Sequence, residues 1–553
     1  MKPLPQSSLN AYICQSLTAN ASLPALSDLH GECFTYREVA RRIARFHIIF
    51  QEASLCHGDK IAFCGKNSSR WAMAFLASMT YGATSVPILH EFHTDSIHHL
   101  VDHSDARVLF VDEAIWDRLD HSLMPKLKFV VNLRDYSLLY SADVAVAAAA
   151  GHIDDLESQR YPHGFSPDML ACHHGDRDGV AVINYTSGST GFSKGVALTY
   201  GNLWSNIQFC IDGLTFLEPG DGTVCMLPLA HMFGLMVELL HPFVKGCHIN
   251  FITRVPSPRI ILDAFATVRP KLIVTVPLVL EKIIRSKVFP ALKKPPVSTL
   301  LHVPFLNRVI YRKIRRQIVD AFGGRVLEVI LGGAAVGKDV EQFLRRIRFP
   351  FTVGYGMTEC GPLVAYAPWQ QARPGGCGRP ADRMQVRVES PDPTRIPGAL
   401  WIKGDNVMLG YYKNPEATAA VMDDDGWMNS GDICTIGADG TIFIRGRDKN
   451  LILGPSGQNI YPEEIEQALG NQPLVEECIV VDRNHRLIAL IYANPDDVAR
   501  QGLDRAALEA LMRRNIDNAN AVLPAYSRIS EFELRDSEFE KTPKRSIKRF
   551  LYK

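Results

Sequence analysis

No stretch of the 553-residue chain stays apolar for the roughly 20 residues that a bilayer-spanning helix requires. The first thirty residues, MKPLPQSSLNAYICQSLTANASLPALSDLH, hold one early lysine and no uninterrupted apolar core, so no signal peptide is expected. Net charge is nearly absent too. With 60 Lys and Arg against 59 Asp and Glu, the chain lacks the basic surplus of a nucleic-acid binder that works by neutralising phosphates. The 12 cysteines include no Cys-x-x-Cys pair. Scattered positions such as Cys64, Cys172, Cys360 and Cys478 fit reduced thiols better than a disulfide framework or a zinc site, and a cytoplasmic location is expected. Internal repeats and low-complexity tails are also missing.

What is present is length and alternation. A chain of this size exceeds what one hydrophobic core supports, so at least two domains are expected. Between residues 34 and 112, β-rich runs (KIAFCG, RVLFVD) alternate with an apolar helical stretch (WAMAFLASMTYGATSVPI), the signature of a layered α/β fold. Residues 141–178 are polar and poorly periodic and read as a connection. VAVINY, residues 180–185, reads as a buried strand. Leu203, Ile207, Cys210 and Ile211 then fall at helical spacing, and KLIVTV and RVLEVIL supply further strands. Near residue 446 the style changes. A short helix after Pro462, a strand pair CIVV and LIALIYA, and a helix from about residue 505 predict a small α+β module. The division expected is 1–445 and 446–553.

The loop after the first buried strand, YTSGSTGFSKG (residues 185–195), combines small residues whose amides can approach an anion, hydroxyl donors and one cation. It predicts a triphosphate cradle. It is not the P-loop, because Lys194 sits between Ser193 and Gly195 rather than in Gly-Lys-Ser/Thr. A Ser/Gly run by itself is more often a surface loop chosen for its conformational freedom.

The loop resembles the signature of the acyl-adenylate-forming superfamily, which includes acyl-CoA synthetases, peptide-synthetase adenylation domains and firefly luciferase. Ser193 stands where that family usually has proline. Five more motifs follow in the family's order: LPLAHMFGL, LGGAA, GYGMTE, SGDICTI and IRGRDKNLI. The resemblance implies that Thr186, Ser187, Gly188, Ser189, Thr190, Gly191 and Lys194 hold phosphates. It implies that His231 lines the acyl site and that Gly333 and Ala334 lie along adenine. Tyr355 would pack on adenine, Thr358 contact phosphate and Glu359 hold Mg²⁺. Asp432 and Arg447 would bind ribose, and Lys449 occupies the hinge position.

GRDKNLILGPSGQNIYPEEIE looks most like bacterial fatty-acyl-CoA synthetases. Their fold is therefore implied: a large N-terminal domain of several β-sheets with packed helices, and a small mobile C-terminal lid. The implied activity joins a carboxylic acid, ATP and coenzyme A, with an acyl-carrier protein as the alternative acceptor. The family's last motif places a lysine three residues after a Thr-Pro pair. Here Thr542-Pro543 puts Ser546 there, with Lys544 and Lys548 on the same side if the segment is extended; Lys548 is the expected substitute.

Two further patterns are read as solvated faces. Asp95, His99 and His103 share one helix face, which by itself is weak ground for a metal. Arg308, Arg312, Lys313, Arg315 and Arg316 form a basic helix whose contact with a membrane would be peripheral at most.

Overall fold

The computed structural model describes residues 8–174, 177–186, 194–254, 257–295, 297–301, 303, 306–453, 459–484, 486–542 and 547–552. Its largest sheet has eight strands. From one edge to the other they are Gly410–Tyr411, Lys194–Thr199, Val180–Thr186, Thr84–Ile88, Lys60–Cys64, Ala106–Val111, Phe129–Asn132 and Leu138–Ser141. The five from Val180–Thr186 to Phe129–Asn132 run parallel. Their residues are buried almost throughout, as continuous apolar runs covered on both faces require. The helix Ser69–Tyr81 is buried nearly all round; Ser68 Oγ caps it by accepting from Trp71 N at 3.1 Å.

Two smaller sheets flank this one. One joins Gly222–Cys225, His248–Phe251, Pro24–Asp28 and Cys33–Thr35; the other joins Leu272–Thr275, Glu328–Leu331 and Phe351–Val353, all parallel. An antiparallel sheet follows, ending in Met428–Ile436 paired with Ile442–Arg447. The C-terminal module is a three-stranded sheet, Glu477–Arg483, Arg486–Tyr492 and Glu531–Arg535, under the helices Pro462–Gly470 and Arg505–Val522, with its own apolar cluster around Ile465, Leu469 and Met512. Among the described residues no helix is long and apolar enough to cross a membrane.

Two expectations need correction. The interval 141–178 is not merely a connection, because Val144–Gly151 and Ile153–Arg160 are helices within it. The alanine run AVAAAA explains the first, since alanine has the highest intrinsic helix propensity and needs no amphipathic period. The thiols are not all unpaired: Cys14 and Cys172 form a disulfide with Cα atoms 6.7 Å apart. The helix Leu9–Ala19 docks its Asn10 amide on His173 O at 2.7 Å, which carries Cys14 to a partner 158 residues away. Asp95 and His99 are exposed, as a solvated helix face requires, while His103 at the end of the helix is half-buried with its Nδ1 2.7 Å from Tyr185 OH.

Candidate functional site

The site lies where loops leave the C-terminal ends of parallel strands, the usual position of a ligand crevice in open α/β sheets. The strand Val180–Thr186 runs into residues 187–193 and returns as Lys194–Thr199, with Thr186 and Lys194 directly paired. Thr186 Oγ1 donates to Lys194 O at 3.3 Å. This pairing fixes both ends of the phosphate-loop motif. Ser187, Gly188, Ser189, Thr190 and Gly191 lie outside the described residues.

Lys194 and Glu359 meet through a residue the motifs did not single out. Lys194 Nζ lies 4.7 Å from the centre of the Tyr411 ring, and Tyr411 OH donates to Glu359 Oε1 at 3.0 Å. The aromatic face thus holds the cation and its hydroxyl holds the carboxylate. Burial, and next the charge of Glu359, push the Tyr411 phenol well up, so it remains a donor. The only sequence cue to Tyr411 is its place in GYYKNPEAT, whose strand Gly410–Tyr411 pairs with Lys194–Thr199.

The second group forms around Asp432, which is 3% exposed. Tyr355 OH donates to Asp432 Oδ2 at 2.5 Å, and Arg447 Nε lies 2.7 Å from Oδ1. Strand register makes the pair: Asp432 and Arg447 are opposite each other on antiparallel strands. Burial raises the Asp432 carboxyl above its ordinary value, opposed by the Arg447 guanidinium and then by the Tyr355 hydroxyl. Burial and the neighbouring carboxylate push Tyr355 up in turn. Lys449 lies in the same region, an exposed residue whose ammonium is partly desolvated. Burial and then Arg447 lower its pKa, Lys194 adds in the same direction, and Asp432 and Glu463 oppose. Glu463 also accepts from Asn450 Nδ2 at 2.5 Å, which makes it a second residue missed by the sequence reading.

The turn after Glu328–Leu331 carries Gly333 and Ala334. Gly332 abuts the Phe233 ring so closely that a Cβ would lie 2.8 Å from it, and Gly333 has φ +82°, so both positions demand glycine. That contact joins the LGGAA turn to the segment of His231. His231 is half-buried and opens the short helix Met232–Gly234. The buried Glu238 clamps this segment by accepting from Leu227 N at 2.8 Å and Met226 N at 3.1 Å, while Asn184 Nδ2 holds Ala230 O at 2.8 Å. Thr358 begins the 3₁₀ turn Thr358–Cys360 that presents Glu359.

Lys548 is held on the C-terminal module. Its amide donates to Glu540 O at 2.8 Å, and its Nζ lies 3.5 Å from Glu540 Oε2. Lys541 and Ile547 form an antiparallel bridge nearby. Lys544 and Ser546 lie outside the described residues. The module's helix Pro462–Gly470 faces the N-terminal body, with Gln467 Nε2 donating to Val336 O at 2.7 Å and Arg285 bonded to both Asp339 and Asn471.

No cluster of three or more potential ligands occurs among the described residues. A Mg²⁺ ion does not need one, since it keeps several waters and is commonly bound by one or two carboxylates plus substrate phosphates. Glu359 fits, because Tyr411 engages Oε1 and, among the described residues, no hydrogen bond takes the other oxygen.

The chain is similar to known proteins over most of its length. The AMP-binding enzyme family matches residues 15–412, and the AMP-binding enzyme C-terminal domain matches residues 448–552. A feruloyl-CoA synthase from an Amycolatopsis species is 28% identical over 458 residues, covering 82% of this chain and 81% of its own. The chloroplastic long-chain-fatty-acid–[acyl-carrier-protein] ligase AEE15 of Arabidopsis thaliana is 26% identical, covering 84% and 73%. ATP-bound MatB from Rhodopseudomonas palustris has the same fold, with a TM-score of 0.75 at 22% identity over 99% and 98% of the two chains. With both of its parts matched in order along the chain, the protein belongs to the AMP-binding enzyme family.

Proposed function

We propose that this protein activates an apolar carboxylic acid, fatty acids among them, by joining it to AMP and then transfers the acyl group to coenzyme A. The observation that carries the reading is the pairing of two groups: Lys194–Tyr411–Glu359 beside the phosphate loop, and Tyr355–Asp432–Arg447 at the neighbouring strand ends. One is suited to a triphosphate, the other to an adenosine.

In the first step a carboxylate oxygen attacks the α-phosphorus of ATP and pyrophosphate leaves with the electron pair of the α–β bridging bond. Lys194 would neutralise the β- and γ-phosphates, with Tyr411 fixing its position. Asp432, kept as an acceptor by Arg447, would take hydrogen bonds from the ribose hydroxyls. Mg²⁺ held by Glu359 would supply charge neutralisation on the phosphates. The residues contribute alignment and charge rather than covalent chemistry. In the second step the thiol of coenzyme A attacks the acyl carbonyl, loses its proton and expels AMP. Lys449, at the start of the C-terminal module, would absorb the rotation that exchanges one step for the other.

AEE15 is named for a carrier-protein acceptor, and that supports a second reading with a protein-bound thiol. Purified protein incubated with ATP and a panel of fatty, aryl and hydroxy acids should release pyrophosphate with a subset of them. Adding coenzyme A or holo carrier protein then separates the two acceptors. Absence of acid-dependent pyrophosphate release across the panel refutes the activity. Lys548 is the proposed source of the cation that Ser546 cannot supply. Lys548→Ala should slow pyrophosphate release at least about tenfold, the equivalent of ~1.4 kcal/mol of transition-state stabilisation. An inactive wild type rescued by Ser546→Lys would instead identify a chain that binds nucleotide without catalysis.

A further inference from the structure

The charge of this protein is balanced overall but not locally. Its net charge is +1, yet residues 281–321 hold ten Lys and Arg against two Asp and Glu. The basic surplus culminates in the helix Leu306–Ala321, which carries Arg308, Arg312, Lys313, Arg315 and Arg316 and a single acidic residue, Asp320. A solvated helix face would explain the charges by themselves. It does not explain the apolar residues among them.

The inner side of this helix is already occupied. Ile318 is buried, and Tyr311 and Ile314, which share its face at i−7 and i−4, pack on the same apolar cluster. The opposite stripe runs through Leu306, Val309, Lys313 and Arg316 at i, i+3, i+7 and i+10, flanked by Arg312. On it Leu306 is 43% and Val309 59% exposed, and Val303, one turn earlier, is 41% exposed. The Arg316 side chain is 85% exposed and reaches Asp320 only at 3.9 Å. Folding accounts for the face in the core but not for an outward face that mixes aliphatic and cationic side chains.

We propose that this outward face docks on an anionic lipid surface. Short aliphatic side chains on it would enter the headgroup boundary, while the long Arg and Lys stems lie along apolar surface and raise their charges to lipid phosphates. A bilayer supplies both the negative potential and the apolar layer behind it; a soluble polyanion would satisfy the cations and leave Leu306 and Val309 in water. The interaction needs no turnover and stands independently of the activity proposed above.

The test is co-sedimentation of the full chain with vesicles of phosphatidylcholine alone and with about 30 mol% phosphatidylglycerol, at about 0.1 M salt. The expected result is partition onto the anionic vesicles only, lost in high salt. Arg312→Glu with Arg316→Glu should weaken partition at least about 25-fold, equivalent to ~1 kcal/mol for each lost cation. Val309→Ser should weaken it with no change in charge. All these side chains are exposed, so unfolding midpoints should stay at the wild-type value and serve as the folding control. Equal partition onto neutral and anionic vesicles, or partition unchanged by the charge reversal, overturns the proposal. So does a wild type that ignores both vesicles but binds an acidic carrier protein in a way the same reversal abolishes.

Discussion

Replacing Arg447 by alanine should remove the charge that keeps Asp432 an acceptor, and the cost should depend on pH. Asp432 is 3% exposed, with Arg447 Nε at 2.7 Å and Tyr355 OH at 2.5 Å. At a charge separation of ~4 Å and an effective dielectric of ~20, the attraction is about 4 kcal/mol. The Arg447 side chain is 50% exposed, so water screens it, and roughly 1–2 kcal/mol remains, between an exposed pair and a fully buried one. Burial already holds the Asp432 carboxyl above its ordinary value in spite of Arg447, and losing the guanidinium raises it further. A carboxyl whose folded pKa exceeds its unfolded value contributes stability that is present below the unfolded value and lost as pH rises through the folded one. The deficit of Arg447→Ala relative to wild type should therefore be small at the acid end, where Asp432 is protonated in both proteins, and should grow towards alkaline pH.

Denaturant unfolding across that pH range measures it, alongside Tyr355→Phe and the double variant. Because both partners hold one carboxylate, their effects should be non-additive by more than about 0.5 kcal/mol. A deficit that does not change with pH, or strict additivity, refutes the account.

Three further outcomes are expected. Glu359→Ala should lower pyrophosphate release on the order of 100-fold at saturating Mg²⁺ with the fold retained, and near-normal turnover would contradict its role. His241 is wholly buried with neither ring nitrogen bonded among the described residues, and burial, then Lys245, lowers its pKa to about 3. Its contribution is present above the ordinary value of 6.5 and lost as pH falls towards 3, so His241→Leu should flatten the acid limb of the stability curve by up to about 3 kcal/mol between neutrality and mild acid. An unchanged acid limb would show that other groups drive acid unfolding. Lys449→Pro should spare acyl-adenylate formation and slow thioester formation from preformed acyl-adenylate, as rapid-quench measurement of the two half-reactions would show; equal losses in both would remove Lys449 from the hinge.

Much of the fold was legible because it is written in local periodicity. VAVINY became Val180–Thr186, and Leu203, Ile207 and Cys210 became the buried face of Tyr200–Gly213. CIVV and LIALIYA became the hairpin Glu477–Arg483 and Arg486–Tyr492. Apolar alternation reports burial wherever one strand or helix meets the core, so it survives without knowledge of partners. The alanine helix at Val144–Gly151 escaped because its stability comes from intrinsic propensity, which leaves no amphipathic trace.

Of the candidate site, the sequence by itself determined the residue types: a Ser/Gly loop ending in Lys194, a carboxylate at Glu359, and the Asp432 and Arg447 motifs in family order. Tertiary structure alone decided who touches whom. Tyr411 joins Lys194 to Glu359 because a two-residue strand, Gly410–Tyr411, pairs at the edge of the main sheet, and no local pattern announces so short a pairing. The register of one antiparallel pair sets Arg447 opposite Asp432, and Cys14 finds Cys172 across 158 residues through the docking of one helix. Such contacts depend on the global arrangement of strands. Residue identity supplies the chemistry, and position in space, which the chain acquires only on folding, turns that chemistry into a site.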